Sequence, residues 1–239
     1  MDIAKSKVSV IIPTLNEEGM IAEIIEGCKP YADEIIVVDG HSKDKTREIA
    51  EGGVGVKVIL DNKKGKGAAL RHVVNFVNGD IIVFIDADGS HDARDIPKLV
   101  EPILKDEADH VSASRLIGGS SELHGGFDEC FRLMGSSFIT ACINWKFKVK
   151  LSESQNGFRA IKTEVMKQLG LEENITTIEQ EMIMKTLKKG FRIAEVPSHE
   201  HKRKKGYSKI SLKKVWFRYV YTLLKYLLFT FICFVNLHP

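Results

Sequence analysis

The chain of 239 residues is poor in the features that mark several protein classes. Its four cysteines, at 28, 130, 142 and 233, are scattered, and none forms a Cys-x-x-Cys pair. A zinc ribbon and a disulfide scaffold therefore drop out, and a reducing, cytosolic compartment is the expectation. Proline (6) and glycine (19) are too few and too irregular for a collagen-like chain, and the recurrent aliphatic runs exclude a disordered one. No Gly-x-Gly-x-x-Gly occurs: Gly65-Lys66-Gly67 comes nearest, but Leu70 stands where the third glycine belongs. No Gly-x-x-x-x-Gly-Lys-Ser/Thr run is present either, so dinucleotide redox chemistry and P-loop hydrolysis lose their signatures. Met1 leads into a mixed polar stretch rather than a basic-then-apolar leader, and there is no internal repeat. Negative charge is scarce toward the end of the chain. Residues 200–225 hold nine Lys and Arg against Glu200 alone, a local charge of +8 within a total of +3, which leaves −5 for the rest. Such segregation calls for an anionic partner.

What is present is a well-mixed globular composition, 44% hydrophobic and 28% charged. Short β-rich runs (Val8–Ile12, Glu34–Val38, Val56–Leu60, Ile81–Ile85, Asp109–Ser114) alternate with helical patterns at Glu17–Cys28, Asp44–Glu51, Ala68–Val77 and Asp95–Asp106. Runs such as IIVV and IIVFI are apolar on both faces, as strands sandwiched between helical layers must be. The expected fold is α/β, a doubly wound, mostly parallel sheet, which binds ligands beyond the carboxyl ends of its strands. Further on, Gly157–Ile161 and Phe191–Val196 read as strands and Ile178–Lys189 as a helix, with Thr177 and Gln180 spaced as a capping box. Residues 1–211 are expected to form the main domain and 212–239 an apolar appendage. Tyr226–Val235 is an uncharged run of ten, short of the ~20 residues a spanning helix needs. With Lys213, Lys214 and Arg218 before it, an amphipathic helix on or shallowly in a membrane surface is expected, with packing on the domain as the alternative.

Every chemical motif falls at a strand end. Asp86-Ala87-Asp88 follows Ile81–Ile85 directly. Two carboxylates one residue apart repel unless a cation or several donors lie between them, and hard oxygen ligands favour Mg²⁺ or Mn²⁺. Pro13-Thr14-Leu15-Asn16-Glu17-Glu18 ends the first strand, and Asp39-Gly40-His41-Ser42 the second. An Asp there can accept from a base N–H or a ribose hydroxyl, while Asn16 and Ser42 are candidate caps for the helices that follow. Lys63-Lys64-Gly65-Lys66-Gly67 opens the third helix, where glycines permit close approach and the helix N-terminus attracts anions. His199-Glu200-His201 lacks the His-Glu-x-x-His spacing, and metal binding is not expected there. Of the run Lys202–Lys205 only Arg203 is expected to reach substrate.

Taken together, PTLNEE, VVDGHSKDKT, GKGAALR, DADGSH, SASRL, SQNGFRAI, EQEM and RKKGYSKI resemble, in order and approximate spacing, the family-two glycosyltransferases of A-type fold, in particular the dolichyl-phosphate mannose synthase-like branch. The resemblance covers residues 6–211. It implies that Pro13, Leu15, Glu17 and Asp39 line a nucleoside pocket with Lys66 nearby. Asp86, Ala87 and Asp88 would form the metal and diphosphate site. Arg115 would match the family's Ser-Arg position in the donor site, and Arg203 and Lys209, on its basic loop, would face the diphosphate or an acceptor phosphate. Gly157, Phe158 and Arg159 would line the sugar and acceptor side, with Glu181 as the helical acidic residue. Three departures leave the donor open: Gly40 where the family often has a second acid, Ser90 where mannose synthases tend to have Gln, and SQNGFR in place of a Ser-Gly-Phe-Arg run.

The implied reaction is inverting, metal-dependent transfer of a hexose from GDP-mannose, UDP-glucose or UDP-N-acetylglucosamine to a polyprenyl (dolichyl) phosphate. Asp88, Arg203 and Glu181 would carry the catalysis, at the cytoplasmic face of the cell membrane. A phosphate acceptor is already ionised, so Glu181 would orient it; a sugar hydroxyl would need Glu181 as base. A soluble or polymer acceptor, and a nucleotide-sugar-binding membrane protein without turnover, are the alternatives. Nucleic acid is not an expected partner, because it would not account for the apolar segment that follows the basic one.

Overall fold

A computed structural model describes residues 6–121, 127–202 and 212–228. Seven strands form one sheet: β1 (Val8–Thr14), β2 (Glu34–Asp39), β3 (Val56–Leu60), β4 (Ile81–Phe84), β5 (His110–Ser114), β6 (Arg159–Lys162) and β7 (Ile193–Pro197), in the order β3-β2-β1-β4-β6-β5-β7. All pairings are parallel except the two made by β6, which runs antiparallel to both β4 and β5. The expected doubly wound, mostly parallel α/β sheet is therefore what the chain adopts. The reversal of β6 has a consequence for the site. Phe84 pairs with Arg159, so the start of β6 lies at the same edge as the carboxyl ends of β1, β2, β4 and β5.

Helices cover both faces. On one side α1 (Ile21–Cys28), α2 (Thr46–Glu51) and α4 (Ile96–Leu104) bury Ile21, Ile25, Ala50, Leu99 and Ile103 against Val10, Ile12, Val37 and Val83. On the other, α3 (Lys66–Val73), α7 (Thr163–Gln168) and α8 (Ile178–Lys188) bury Leu70, Val73, Met166 and Met182 against Ile11, Ile36, Ile82 and Phe84. The alternation of strand residues between these two layers follows from the period of two along a strand. The sequence pattern left out α5 (Arg115–Gly118), α7 and the long helix α6 (Phe127–Phe147). A third cluster joins α6, α8 and α9 (Leu212–Leu228) through Ile139, Ile143, Ile183, Met184, Leu223 and Tyr226. The C-terminal helix thus packs on the domain. No helix among the described residues is long and apolar enough to cross a membrane.

Three local expectations need correction. Asn16 and Ser42 do not cap helices; they stitch two loops together. Asn16 Oδ1 accepts from the Lys43 amide (2.7 Å), and Ser42 Oγ accepts from the Asn16 amide (2.9 Å). Nor does a capping box form at α8. Thr177 turns its hydroxyl to Glu173 Oε2 (2.8 Å) and makes no cap bond. At α3, the amides of Gly67 and Ala68 donate to the Asn174 carbonyl (2.9 and 3.3 Å) instead of waiting for an anion. A Cβ on Gly67 would stand 2.4 Å from the Glu173 carbonyl oxygen. These glycines let two backbones touch.

Candidate active site at the carboxyl edge of the sheet

The centre of the edge is the turn after β4. Ala87 is buried and Asp88 nearly so, while Asp86 keeps 29% of its side chain exposed. Asp88 Oδ1 accepts from the Ser90 amide (3.0 Å) and the Ser90 hydroxyl (2.6 Å). Ser90, where a longer carboxamide was the family expectation, therefore orients the second aspartate. Lys66, the first residue of α3, reaches across to Asp86 Oδ1 at 2.7 Å and to Glu179 Oε1 at 3.0 Å. Burial works against its ammonium, but the carboxylates of Asp86 and Glu179 outweigh that and hold its pKa above the usual lysine value. Gly157 closes the other side: a Cβ there would lie 2.8 Å from Asp86 Oδ2 and 3.3 Å from Lys66 Nζ. The cradle exists because that residue has no side chain.

Behind this cluster the packing is rigid. Arg159 is fully buried; it donates to the carbonyls of Asn156 (Nε, 3.1 Å) and Glu179 (Nη1, 2.9 Å), and burial pushes its pKa down to about 10. Phe158 is buried too and stacks on His91, with ring centroids 5.1 Å apart. The imidazole Nδ1 of His91 has no hydrogen-bond partner among the described residues, and burial lowers its pKa against the pull of the nearby carboxylates. Within the SQNGFR block, Gly157 borders the Asp86 cluster directly. Phe158 and Arg159, expected to line the sugar side, support it from within.

Glu181, the expected helical carboxylate, does not face the cluster. It is wholly buried, and its oxygens accept from the amides of Glu172 and Glu173 (2.8 Å each) and the Tyr226 hydroxyl (2.5 Å), with Lys185 Nζ at 2.9 Å. Two residues along a helix is about 200° of rotation, so Glu179 takes the place beside Lys66. EQEM offers two glutamates, and nothing in the spacing chooses between them.

The flanking residues fall on the same edge. Asp39 is buried at the end of β2, and both its oxygens accept from the Ser42 amide (3.3 and 3.1 Å). Pro13 and Glu17 are half-buried and Leu15 is 40% exposed on the loop after β1. The Glu17 amide is held by Thr46 Oγ1 (2.7 Å). Arg115, just past β5, is gripped between Glu153 (2.7 Å) and Glu200 (2.7 Å). Burial opposes its charge, but the two carboxylates raise its pKa above the usual value. Glu200 is thereby occupied as an anchor, with Ser120 Oγ donating to its other oxygen (2.8 Å). His199 Nε2 meets Ser121 Oγ (2.6 Å). Arg203 and Lys209 lie outside the described residues.

Paired aspartates at a strand tip, a bridging lysine and a glycine-walled cradle suit a diphosphate with a divalent cation. Among the described residues no three His, Cys, Asp or Glu side chains cluster to enclose a metal. Asp86 and Asp88 would hold such an ion from one side, leaving its other positions to water and phosphate, the usual habit of Mg²⁺ and of Mn²⁺ in oxygen-ligand sites.

A model of glycosyl transferase family 2 matches residues 9–170, more than half of the chain and all of the edge up to β6. The chain belongs to glycosyl transferase family 2. Among similar proteins of this family, the low-salt glycan biosynthesis hexosyltransferase Agl6 of Haloferax volcanii is 32% identical over 207 residues, 84% of this chain and 49% of its own length. The dolichol-phosphate mannosyltransferase of Pyrococcus furiosus is 33% identical over 232 residues, 92% of this chain and 64% of its own length. The UDP-N-acetylglucosamine–dolichyl-phosphate N-acetylglucosaminyltransferase of Methanococcus voltae is 29% identical, covering 82% of this chain and 86% of its own. The family 2 chain thus spans about half the length of Agl6 and 64% of the Pyrococcus relative. In fold it is similar to glucosyl-3-phosphoglycerate synthase from Mycobacterium tuberculosis, crystallised with Mn²⁺, UDP-glucose and phosphoglyceric acid. The TM-score is 0.75 at 24% identity, over 93% of this chain and 80% of that one. At that identity the likeness concerns the fold.

Proposed function

We propose that the protein transfers a hexose from a nucleoside-diphosphate sugar to a polyprenyl phosphate, with Mg²⁺ or Mn²⁺ held by Asp86 and Asp88. The observation that carries this reading is the convergence of Asp86, Asp88, Lys66 and Glu179 at one sheet edge. The names of the relatives, two of them dolichyl-phosphate transferases, support the acceptor. When bound, the metal would neutralise charge on the departing diphosphate. Lys66 is poised to share that load, because its ammonium already sits between two carboxylates within reach of the same space. Ser90 fixes the rotamer of Asp88, and Glu179 fixes Lys66. The loop after β1 and the Asp39 turn offer a wall for the nucleoside. A phosphate acceptor arrives ionised, so no side chain has to remove a proton from it. This agrees with Glu181 being spent on internal bonds. The helix α9 and the basic residues before it would hold the enzyme at the cytoplasmic face of the membrane, where such an acceptor resides.

The test is a panel of GDP-mannose, UDP-glucose and UDP-N-acetylglucosamine offered with a short polyprenyl phosphate and Mn²⁺. Lipid-linked sugar is the expected product, from at least one donor, and its formation should stop in EDTA and in Asp88→Ala. Transfer undiminished in EDTA would refute the metal role. Sugar release that ignores the lipid phosphate would refute the acceptor.

A further inference from the structure

The long helix α6 carries apolar side chains on two faces. One packs inward through Ile139 and Ile143 on α8 and α9. The other leaves Met134 (54%), Phe138 (64%) and Trp145 (82%) exposed. Spacings of four and seven residues put these three on one stripe at 3.6 residues per turn. The adjacent helix α9 does the same. It buries Leu223 and Tyr226, while Phe217, Tyr221 and Leu224, again four and three apart, stay exposed with Trp216 beside them. Among the described residues, two packed helices thus turn exposed, largely aromatic stripes to the outside, more apolar surface than scattered exposed residues account for.

The charges along these stripes are mostly basic: Asp128 and Glu129 stand only at the start of α6, and Glu172, exposed beside α9, is tied to Lys225 (2.8 Å). No Asp or Glu occurs between 130 and 152, or anywhere after Glu200. Lys148 and Lys150 are exposed just beyond Trp145, with Lys146 half-buried, and Arg218 is exposed on α9. Two copies brought together through these faces would set cation against cation. Anionic lipid headgroups complement the pattern, with lysines and arginines in the headgroup layer and Trp and Tyr at the boundary with the acyl chains. Helix α9 also packs against the helix that carries Glu179, since Gln180 Nε2 donates to the Tyr219 carbonyl (3.4 Å).

We infer that α6 and α9 together form a lipid-docking face, so that the catalytic domain itself, and not only its C-terminal segment, lies on an anionic bilayer. This deepens the proposed function, on which it rests: the surface that presents the lipid phosphate is bound by the domain that uses it. Membrane binding would then be shared. Either helix alone would give a weak, salt-sensitive attachment, and the pair would fix the orientation of the sheet edge to the membrane.

The chain has two tryptophans, Trp145 on α6 and Trp216 on α9, so each helix can be read separately. Full-length Trp216→Phe and Trp145→Phe variants are mixed with phosphatidylcholine vesicles, with or without phosphatidylglycerol and brominated acyl chains. Docking predicts that Trp145 fluorescence shifts to the blue and is quenched by the brominated chains in the anionic vesicles, as is Trp216. The double variant Phe138→Ser/Trp145→Ser, changed only at exposed positions, should keep its far-ultraviolet circular dichroism and lose about tenfold or more in vesicle partition. Quenching of Trp216 alone would overturn the role of α6. So would lipid-free self-association, seen by sedimentation, that shields Trp145. Lipid-linked product is scored separately with detergent-dispersed polyprenyl phosphate. Quenching of Trp145 without any such product would support the docking face and remove the acceptor assignment.

Discussion

Gly157→Ala is the most direct probe of the cradle. The new Cβ would stand 2.8 Å from Asp86 Oδ2, where ordinary contact begins at 3.4 Å, so about 0.6 Å must be found. The backbone at 157 cannot give way cheaply. Arg159 clamps the Asn156 carbonyl from below, and the Phe158 amide is bound to Asn156 Oδ1 (2.9 Å). Asp86 must therefore swing, and its tether to Lys66 (2.7 Å) moves with it. The methyl group takes an apolar atom into a partly open site, so the cost to folding should stay within about 1 kcal/mol. The cost to function should be larger. Displacements approaching 1 Å in a positioned catalytic group are worth up to about 10²-fold in rate, and a 10- to 10²-fold fall in kcat/KM corresponds to about 1.4–2.7 kcal/mol. The assay is the initial rate of lipid-linked product against Mn²⁺ concentration, beside a thermal melt. A wild-type rate and Mn²⁺ dependence in a folded Gly157→Ala protein would refute the geometry argued for Asp86.

The remaining expectations separate the residues that hold the site from those that hold the fold. Glu179→Gln should leave the melt nearly unchanged and lower turnover by about tenfold, because Lys66 loses its second anchor; an unchanged rate would remove Glu179 from the site. Glu181→Ala should instead destabilise the protein by about 3–5 kcal/mol, since it strands two backbone amides and the Tyr226 hydroxyl and leaves Lys185 with Glu172 and the Gly170 carbonyl. A chemical denaturation curve matching the wild type would contradict that. The third concerns pH. Burial holds the pKa of His110 well below its ordinary value, its Nδ1 within 2.9 Å of Thr186 Oγ1. The unfolded imidazole takes a proton near 6.5 and the folded one does not, so the stability due to His110 is full above that pH and lost as pH falls below it. Denaturant midpoints between pH 7 and 5 should drop less steeply in His110→Gln than in the wild type; parallel slopes would count against the assignment.

The strands were legible because each is a short apolar run bounded by turn residues, and a strand sandwiched between two helix layers needs little else. The Asp86-Ala87-Asp88 turn was legible for a related reason, since a doubly wound sheet puts such motifs at its ligand-binding edge. The helix α6 was not. With apolar residues on both its inward and its outward face, it shows no single stripe at helical spacing, so the periodicity that announces α1 and α4 is missing. The choice between Glu179 and Glu181 was hidden for another reason: α8 is buried on nearly every side, and burial without a polar face leaves the rotation of the helix unmarked.

Composition and local pattern alone settled the α/β class, the strand positions and the aspartate pair, because these depend on interactions within a few residues. Tertiary packing decided the rest. It ran β6 against its neighbours and so brought Gly157 onto Asp86. It spent the α3 amides on Asn174, and turned Glu179 rather than Glu181 toward Lys66. It also left an aromatic stripe on α6 facing outward. Each of these rests on contacts between segments tens of residues apart, whose orientation no local pattern encodes.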